Sequence, residues 1–328
     1  MKPIYSIVVP AYNEQEVIGE AYKRLTNVMK SMDGPYELIF VNDGSRDMTA
    51  QLIAGFCKED PCVRLLDFAR NFGHMPAITA GMEHARGDAI IVIDADMQDP
   101  PEIFPDMAAL WRQGYDVVYG KRKQRKGETF FKRFTSKVFY RMLCWFTSSD
   151  FPLDTGEFRL IDRKVCDAVN RMKEKKRYIR GMVSWVGFRQ IGLEYTREKR
   201  FAGKTKYPLK KMIALAMDAI MSFSYKPLKL AATIGFFISF LSFIYMVFIL
   251  YQRLFTDTTV TGWASTVGLI LFTQGIVLMI LGIIGNYIGR IYEEIKDRPI
   301  YIIREEIQYE KKDARKDPNT KTTEDIGK

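Results

Sequence analysis

Along the first third of the chain, apolar residues come in short β-branched runs at Tyr5–Val9, Glu37–Val41, Val63–Asp67, Ala89–Ile93 and Asp116–Tyr119. Helix-length segments lie between them, at about Glu14–Met32, Thr49–Lys58, Pro76–Ala85 and Pro101–Gln113. That alternation predicts an α/β domain with a mostly parallel, Rossmann-like sheet and right-handed crossovers. Near-continuous runs such as Ile90-Ile91-Val92-Ile93 suit strands covered on both faces.

The pattern changes after residue 225. Leu230 to Tyr251 carries no charge, and neither does Ala264 to Ile288. At about 1.5 Å per residue each run spans roughly 33–37 Å, enough for a hydrocarbon core of about 30 Å. Lys226 and Lys229 precede the pair, and Arg290, Lys296 and Arg298 follow it. The positive-inside rule then predicts a two-span hairpin at about 230–251 and 264–288, both outer flanks in the cytosol. No signal peptide precedes the first domain, so residues 1–225 are expected to be cytosolic. Glu128–Phe146 and Tyr207–Lys229 mix basic and large apolar residues and are expected as interfacial helices. The tail from Glu305 reads as a solvated helix end followed by disorder, in a cytosolic segment 301–328 after a membrane segment 226–300.

Charge and cysteine content narrow the class. The formal net charge is +10, with 47% hydrophobic residues, which excludes wholesale disorder. Basic residues beside membrane spans point to anionic headgroups rather than to nucleic acid. Four Cys without a C-x-x-C pair, and two His, exclude common zinc clusters and suit a reducing compartment.

Ligands of open α/β sheets bind beyond the carboxyl ends of strands. The five strands are followed by Pro10-Ala11-Tyr12-Asn13-Glu14, Asn42-Asp43-Gly44-Ser45, Ala69-Arg70-Asn71-Phe72-Gly73, Asp94-Ala95-Asp96-Met97-Gln98-Asp99 and Gly120-Lys121-Arg122. Each alone is ordinary turn chemistry; together on one rim they make a site. There is no G-x-G-x-x-G, and Gly203-Lys204-Thr205 lacks the first glycine of a P-loop, with Glu198 in its place. Asp94 and Asp96 at a strand end point the same way and suit a hard divalent cation such as Mg²⁺ or Mn²⁺. The alternative is helix capping before Pro100-Pro101, a role Asp99 could also fill.

Val9-Pro10-Ala11-Tyr12-Asn13-Glu14, Val41-Asn42-Asp43-Gly44-Ser45, Asp94-Ala95-Asp96-Met97-Gln98-Asp99-Pro100-Pro101-Glu102 and Gly156-Glu157-Phe158-Arg159-Leu160 occur in this order. The combination resembles glycosyltransferase family 2, with its GT-A fold. More narrowly it is similar to bacterial polyprenyl-phosphate glycosyltransferases, relatives of dolichyl-phosphate mannose synthase, over about residues 4–300. The resemblance implies inverting, metal-dependent transfer of one sugar from a nucleotide-sugar, UDP-glucose or UDP-N-acetylglucosamine, to undecaprenyl phosphate at the bacterial plasma membrane, for cell-envelope polymers. It implies that Pro10, Ala11, Tyr12 and Glu14 cradle the nucleotide and that Asp43 reads the base. It also implies that Asp94, Ala95, Asp96 and Gln98 form the metal and diphosphate corner. By the same resemblance Arg122 matches a substrate-contacting basic position after the fifth strand, and Arg200 and Lys206 resemble the family's basic loop over the phosphates. Glu157 replaces the Asp usual in G-D-F-R-L and is assigned to the acceptor side; Asp154 is the alternative, and a structural Glu157 paired to Arg159 is another. The resemblance further implies a homo-oligomer, a tetramer. A processive polysaccharide synthase would need a Q-x-x-R-W motif, which is missing. A transferase with another lipid acceptor and an inactive nucleotide-sugar-binding scaffold stay open.

Overall fold

The computed structural model describes residues 2–122, 155–196, 226–255 and 262–309. Glu128–Phe146, residues 207–225, Asp154, Arg200 and Lys206 lie outside them, so the expectations placed there are not described further.

The predicted alternation is present. It runs β1 (Tyr5–Ala11), α1 (Ile18–Ser31), β2 (Tyr36–Asn42), α2 (Thr49–Glu59), β3 (Val63–Phe68), α3 (His74–His84) and β4 (Ala89–Val92). A 3₁₀ turn (Pro101–Ile103), α4 (Phe104–Arg112) and β5 (Val117–Arg122) follow. Next come elements the alternation did not predict: β6 (Thr155–Asp162), α5 (Arg163–Asn170), α6 (Ile179–Trp185) and β7 (Gln190–Tyr195). Two long helices, α7 (Lys226–Phe255) and α8 (Trp263–Ile295), precede a last strand, β8 (Ile303–Gln308).

The eight strands form one sheet in the order β7-β5-β6-β4-β1-β2-β3-β8. β3, β2, β1 and β4 pair in parallel, as does β5 with β7. β6 runs antiparallel between β4 and β5, and β8 antiparallel to β3, so the sheet is mixed. Alternate residues feed two cores. Tyr5, Ile7, Val9, Leu38, Phe40 and Ile91 pack on one face; Val8, Ile39, Val41, Leu66 and Val92 pack on the other. On that second face α3 lies so close to β1 that a Cβ at Gly81 would stand 2.1 Å from Val8 Cγ1. The absence of a side chain there lets α3 pack directly onto β1.

Glu305 does not end a helix, which corrects the expected tail. Leu65 pairs with Ile307 and Asp67 with Glu305, making the segment a sheet edge. Arg64, 5% exposed, bridges Glu37 Oε2 and Glu306 Oε1 at 2.7 Å each. Arg304 Nε donates to Asp67 Oδ2 at 3.0 Å. Tyr301 stacks on Phe68 at 5.2 Å. These partners lie far away in sequence, which is why a charged segment could be drawn into the sheet.

Among the described residues, Phe272–Ile295 is long and apolar enough to cross a membrane, with a mean hydropathy of 1.6 and none of it buried in the protein.

Candidate active site

The parallel order reverses between β1 and β4, and the crevice beyond their carboxyl ends is where α/β sheets bind ligands. Pro10 and Ala11 close β1 opposite Val41 and Asn42. Tyr12 follows, 36% exposed. Asn13 has a left-handed backbone, φ 53°; its N–H donates to Ser45 Oγ at 2.9 Å, and its Oδ1 accepts from Arg46 N at 2.9 Å. Glu14 N donates to Thr49 Oγ1 at 2.9 Å, and its carbonyl accepts from Ile18 N at the start of α1. The loops after β1 and β2 are therefore one laced unit.

Asp43 ties in the third loop. Its carboxylate accepts from Phe72 N at 2.7 Å, Gly73 N at 3.0 Å and Asn71 Nδ2 at 2.9 Å, and the residue is 3% exposed. Burial pushes its carboxyl up while the Phe72 and Gly73 amides pull it down. In this structure Asp43 braces the Asn71–Gly73 loop. Gly44, φ 63°, lets that loop approach: a Cβ would lie 2.4 Å from the Arg70 carbonyl carbon.

The loop held by Asp43 delivers His74, the first residue of α3. His74 Nε2 stands 3.4 Å from Asp94 Oδ1. Sequence reasoning missed this residue, although it directly follows the Asn71-Phe72-Gly73 cluster.

Asp94 and Asp96 follow β4. The Asp94 side chain is 33% exposed, yet its Oδ1 is shut from water and makes no hydrogen bond. Burial raises its carboxyl; Asp96, Asp99 and Glu157 raise it further, and His74 opposes them. Met97 turns the chain with φ 51°, and Gln98 N donates back to Asp96 Oδ1 at 3.2 Å. An orphaned carboxylate oxygen next to a second carboxylate fits a hard divalent cation. Among the described residues no three His, Cys, Asp or Glu side chains are arranged around one metal position. A cation held here would complete its shell with substrate oxygens and water.

Asp99 ties this corner to the far strands of the sheet. The 3₁₀ turn has Pro100 at its N-cap and no side-chain cap bond. Asp99, 2% exposed, instead accepts from Tyr195 Oη at 2.5 Å and faces Arg122 Nη2 at 3.6 Å. Arg122 Nε also donates to Tyr195 Oη at 3.2 Å. The last residues of β5 and β7 are thereby locked to the acidic corner.

Glu157, 5% exposed on β6, pairs with Arg180 Nε of α6 at 2.5 Å and more distantly with Arg159 Nη2 at 3.8 Å. Burial pushes its carboxyl up, but Arg180 and Arg159 outweigh that and hold it below the usual range. Its Oε2 is buried without a hydrogen bond. The Arg159 partnership weighed from the sequence is thus the longer of two. Arg180, the shorter, has no local signal in the sequence.

A mixed sheet of this order with acidic residues at its switch point is the GT-A fold of glycosyltransferases. Residues 6–169 match Glycosyl transferase family 2, and residues 226–291 match the GtrB C-terminal hairpin. The uncharacterized glycosyltransferase YkcC of Bacillus subtilis (strain 168) is 56% identical over 308 residues, 94% of this chain and 95% of that one. The SfII prophage-derived bactoprenol glucosyl transferase of Shigella flexneri is 39% identical over 299 residues, 91% of this chain and 97% of that one. The prophage bactoprenol glucosyl transferase homolog of Escherichia coli (strain K12) is also 39% identical, over 91% of this chain and 98% of that one. The chain belongs to glycosyl transferase family 2.

Proposed function

We propose that the chain transfers one sugar from a UDP-sugar to undecaprenyl phosphate at the cytosolic face of the bacterial plasma membrane, with inversion, to supply cell-envelope polymers. The observation that carries this reading is the arginine-held Glu157 sharing a crevice with Asp94 and Asp96. The relatives named bactoprenol glucosyl transferase support the lipid and favour glucose over N-acetylglucosamine as the sugar. The match to a C-terminal hairpin family and the membrane-length apolar helix, Phe272–Ile295, support an anchor, read as two spans, that keeps the crevice at headgroup depth. A homo-oligomer, a tetramer by the resemblance, belongs to the same proposal.

Pro10, Ala11, Tyr12 and Glu14 line the nucleotide side. Asp94 and Asp96, with Gln98 beside them, would hold Mg²⁺ or Mn²⁺. When bound, such a cation neutralises charge on a departing diphosphate. Arg122, Arg200 and Lys206 add positive charge for the phosphates. The acceptor is a phosphate monoester with a second pKa near 6, so it is largely ionised at neutral pH and needs little base catalysis. A carboxylate held below its usual range is a weak base. Glu157 therefore fixes Arg180, and Arg180 orients the acceptor phosphate for attack on the anomeric carbon from the face opposite UDP. Asp154 is the second candidate on that side.

The test is a radiolabel transfer assay with full-length protein, a panel of UDP-sugars, undecaprenyl phosphate and Mg²⁺ or Mn²⁺. Label in a lipid-phosphate product from one sugar, lost with EDTA, is the expected result. Nucleotide binding with no lipid product from any sugar would overturn the acceptor assignment.

A further inference from the structure

The C-terminal end of α8 grips the loop that leads into α6. Lys175 N donates to Glu294 Oε1 at 2.9 Å, and Lys175 Nζ reaches Asp297 Oδ1 at 2.6 Å. Lys176 Nζ pairs with Glu293 Oε2 at 3.1 Å. Just past α8, Tyr301 donates to Glu83 Oε2 at 2.5 Å, and Glu83 Oε1 faces Arg177 Nη1 at 3.6 Å. Arg177 Nη2 closes the loop on itself by donating to Met172 O at 2.8 Å. The next turn begins α6, where Ile179, Met182 and Val183 are buried and Arg180 reaches across to Glu157. The segment that leaves the hairpin is thus linked, through one short loop, to the helix carrying Arg180.

We infer that Lys175 and Lys176 are positioning residues. They let the end of the membrane helix fix α6, and with it the Arg180–Glu157 pair that meets the acceptor. The inference rests on the lipid-acceptor reading above. A lipid phosphate sits at a depth set by the bilayer, so a protein that acts on it needs its acceptor-side groups held at a fixed height above the anchor. A strut from the anchor to α6 supplies that height. Asp297 is 88% exposed and the Lys176 and Glu293 side chains are 50% and 52% exposed, so although Lys175 itself is 21% exposed the pairs contribute little to global stability. Breaking them is expected to shift α6 without unfolding the domain.

The test uses full-length protein in lipid nanodiscs, comparing wild type, Lys175→Glu, and the charge-swapped Lys175→Glu/Asp297→Lys. Two quantities are read: the KM values for UDP-sugar and for undecaprenyl phosphate, and hydrogen exchange of the α6 backbone amides. Lys175→Glu is expected to raise the lipid KM about threefold or more, leave the donor KM unchanged and speed α6 exchange, with the swap restoring both, as expected for a surface ion pair. An unchanged lipid KM and α6 exchange, or changes the swap does not restore, would overturn the inference. If wild type makes no lipid product while α6 exchange responds and is restored, the strut stands and the acceptor assignment falls.

Discussion

Arg180 Nε meets Glu157 Oε1 at 2.5 Å, joining the first turn of α6 to the antiparallel strand β6. The pair places a cation and a carboxylate from two separate elements in the acidic corner of the sheet. Replacing Arg180 by Gln leaves a buried carboxylate with only the distant Arg159. The expected destabilisation is about 1–3 kcal/mol at neutral pH. Because Arg180 holds the Glu157 carboxyl low, its contribution is complete above the unfolded carboxyl value and is lost as pH falls through the folded one. Thermal unfolding of wild type and Arg180→Gln should therefore differ at pH 7 and converge in acid. An equal gap at both pH values would refute the ion-pair account.

Asp96→Asn removes one charge from the carboxylate pair without changing its size. Sugar transfer is expected to fall about 100-fold or more, since charge stabilisation of a leaving diphosphate is the larger part of such catalysis. The melting temperature should hold, and EDTA should silence the wild type until Mg²⁺ or Mn²⁺ is restored. Full turnover by Asp96→Asn would remove the acidic corner from the mechanism.

The strands β1 to β5 were legible because a run of β-branched residues flanked by turn residues is a local signal. The crevice at β1 and β4 was legible for the same reason: Asp94, Asp96 and the Pro10–Glu14 segment announce themselves as strand ends. β8 was not. Ile303–Gln308 sets three charged residues, Arg304-Glu305-Glu306, between Ile303 and Ile307, which reads as a solvated run, and its place in the sheet depends on Arg64 and Asp67, more than two hundred residues earlier. His74 and Arg180 were missed for a related reason. Each is a single residue at a helix start, and only the fold brings it to a carboxylate. Asp43 was seen, but its hydrogen bonds to the Asn71–Gly73 loop could not be read from an Asn-Asp-Gly-Ser turn.

Gly44 tests the laced loops. Its φ of 63° and the 2.4 Å separation its Cβ would have from the Arg70 carbonyl carbon leave no room for a methyl group. Gly44→Ala should destabilise the protein by about 1–3 kcal/mol. It should also weaken UDP binding, because hydrogen bonds lace the loops after β1, β2 and β3 together. Calorimetric titration with UDP checks this. Unchanged affinity would mean that the loop lacing is structural only.

Glu306 tests whether the last strand belongs to the domain. Its carboxylate takes one arm of Arg64, whose other arm is held by buried Glu37. The Arg64 bond is the main cause holding the Glu306 carboxyl below its usual value. Its contribution is therefore present above the unfolded value and fades as pH falls through the folded one. The Glu306 side chain is 36% exposed, so screening limits the loss in Glu306→Gln to about 0.5–1 kcal/mol at neutral pH. Truncation before Ile303 is a harsher change. It strips the β3 edge of its partner and leaves Arg64 with Glu37 and the His84 carbonyl, so the truncated chain should melt well below Glu306→Gln and aggregate through the open edge. If the truncated chain melted like the full one, β8 would be an appendage rather than part of the sheet.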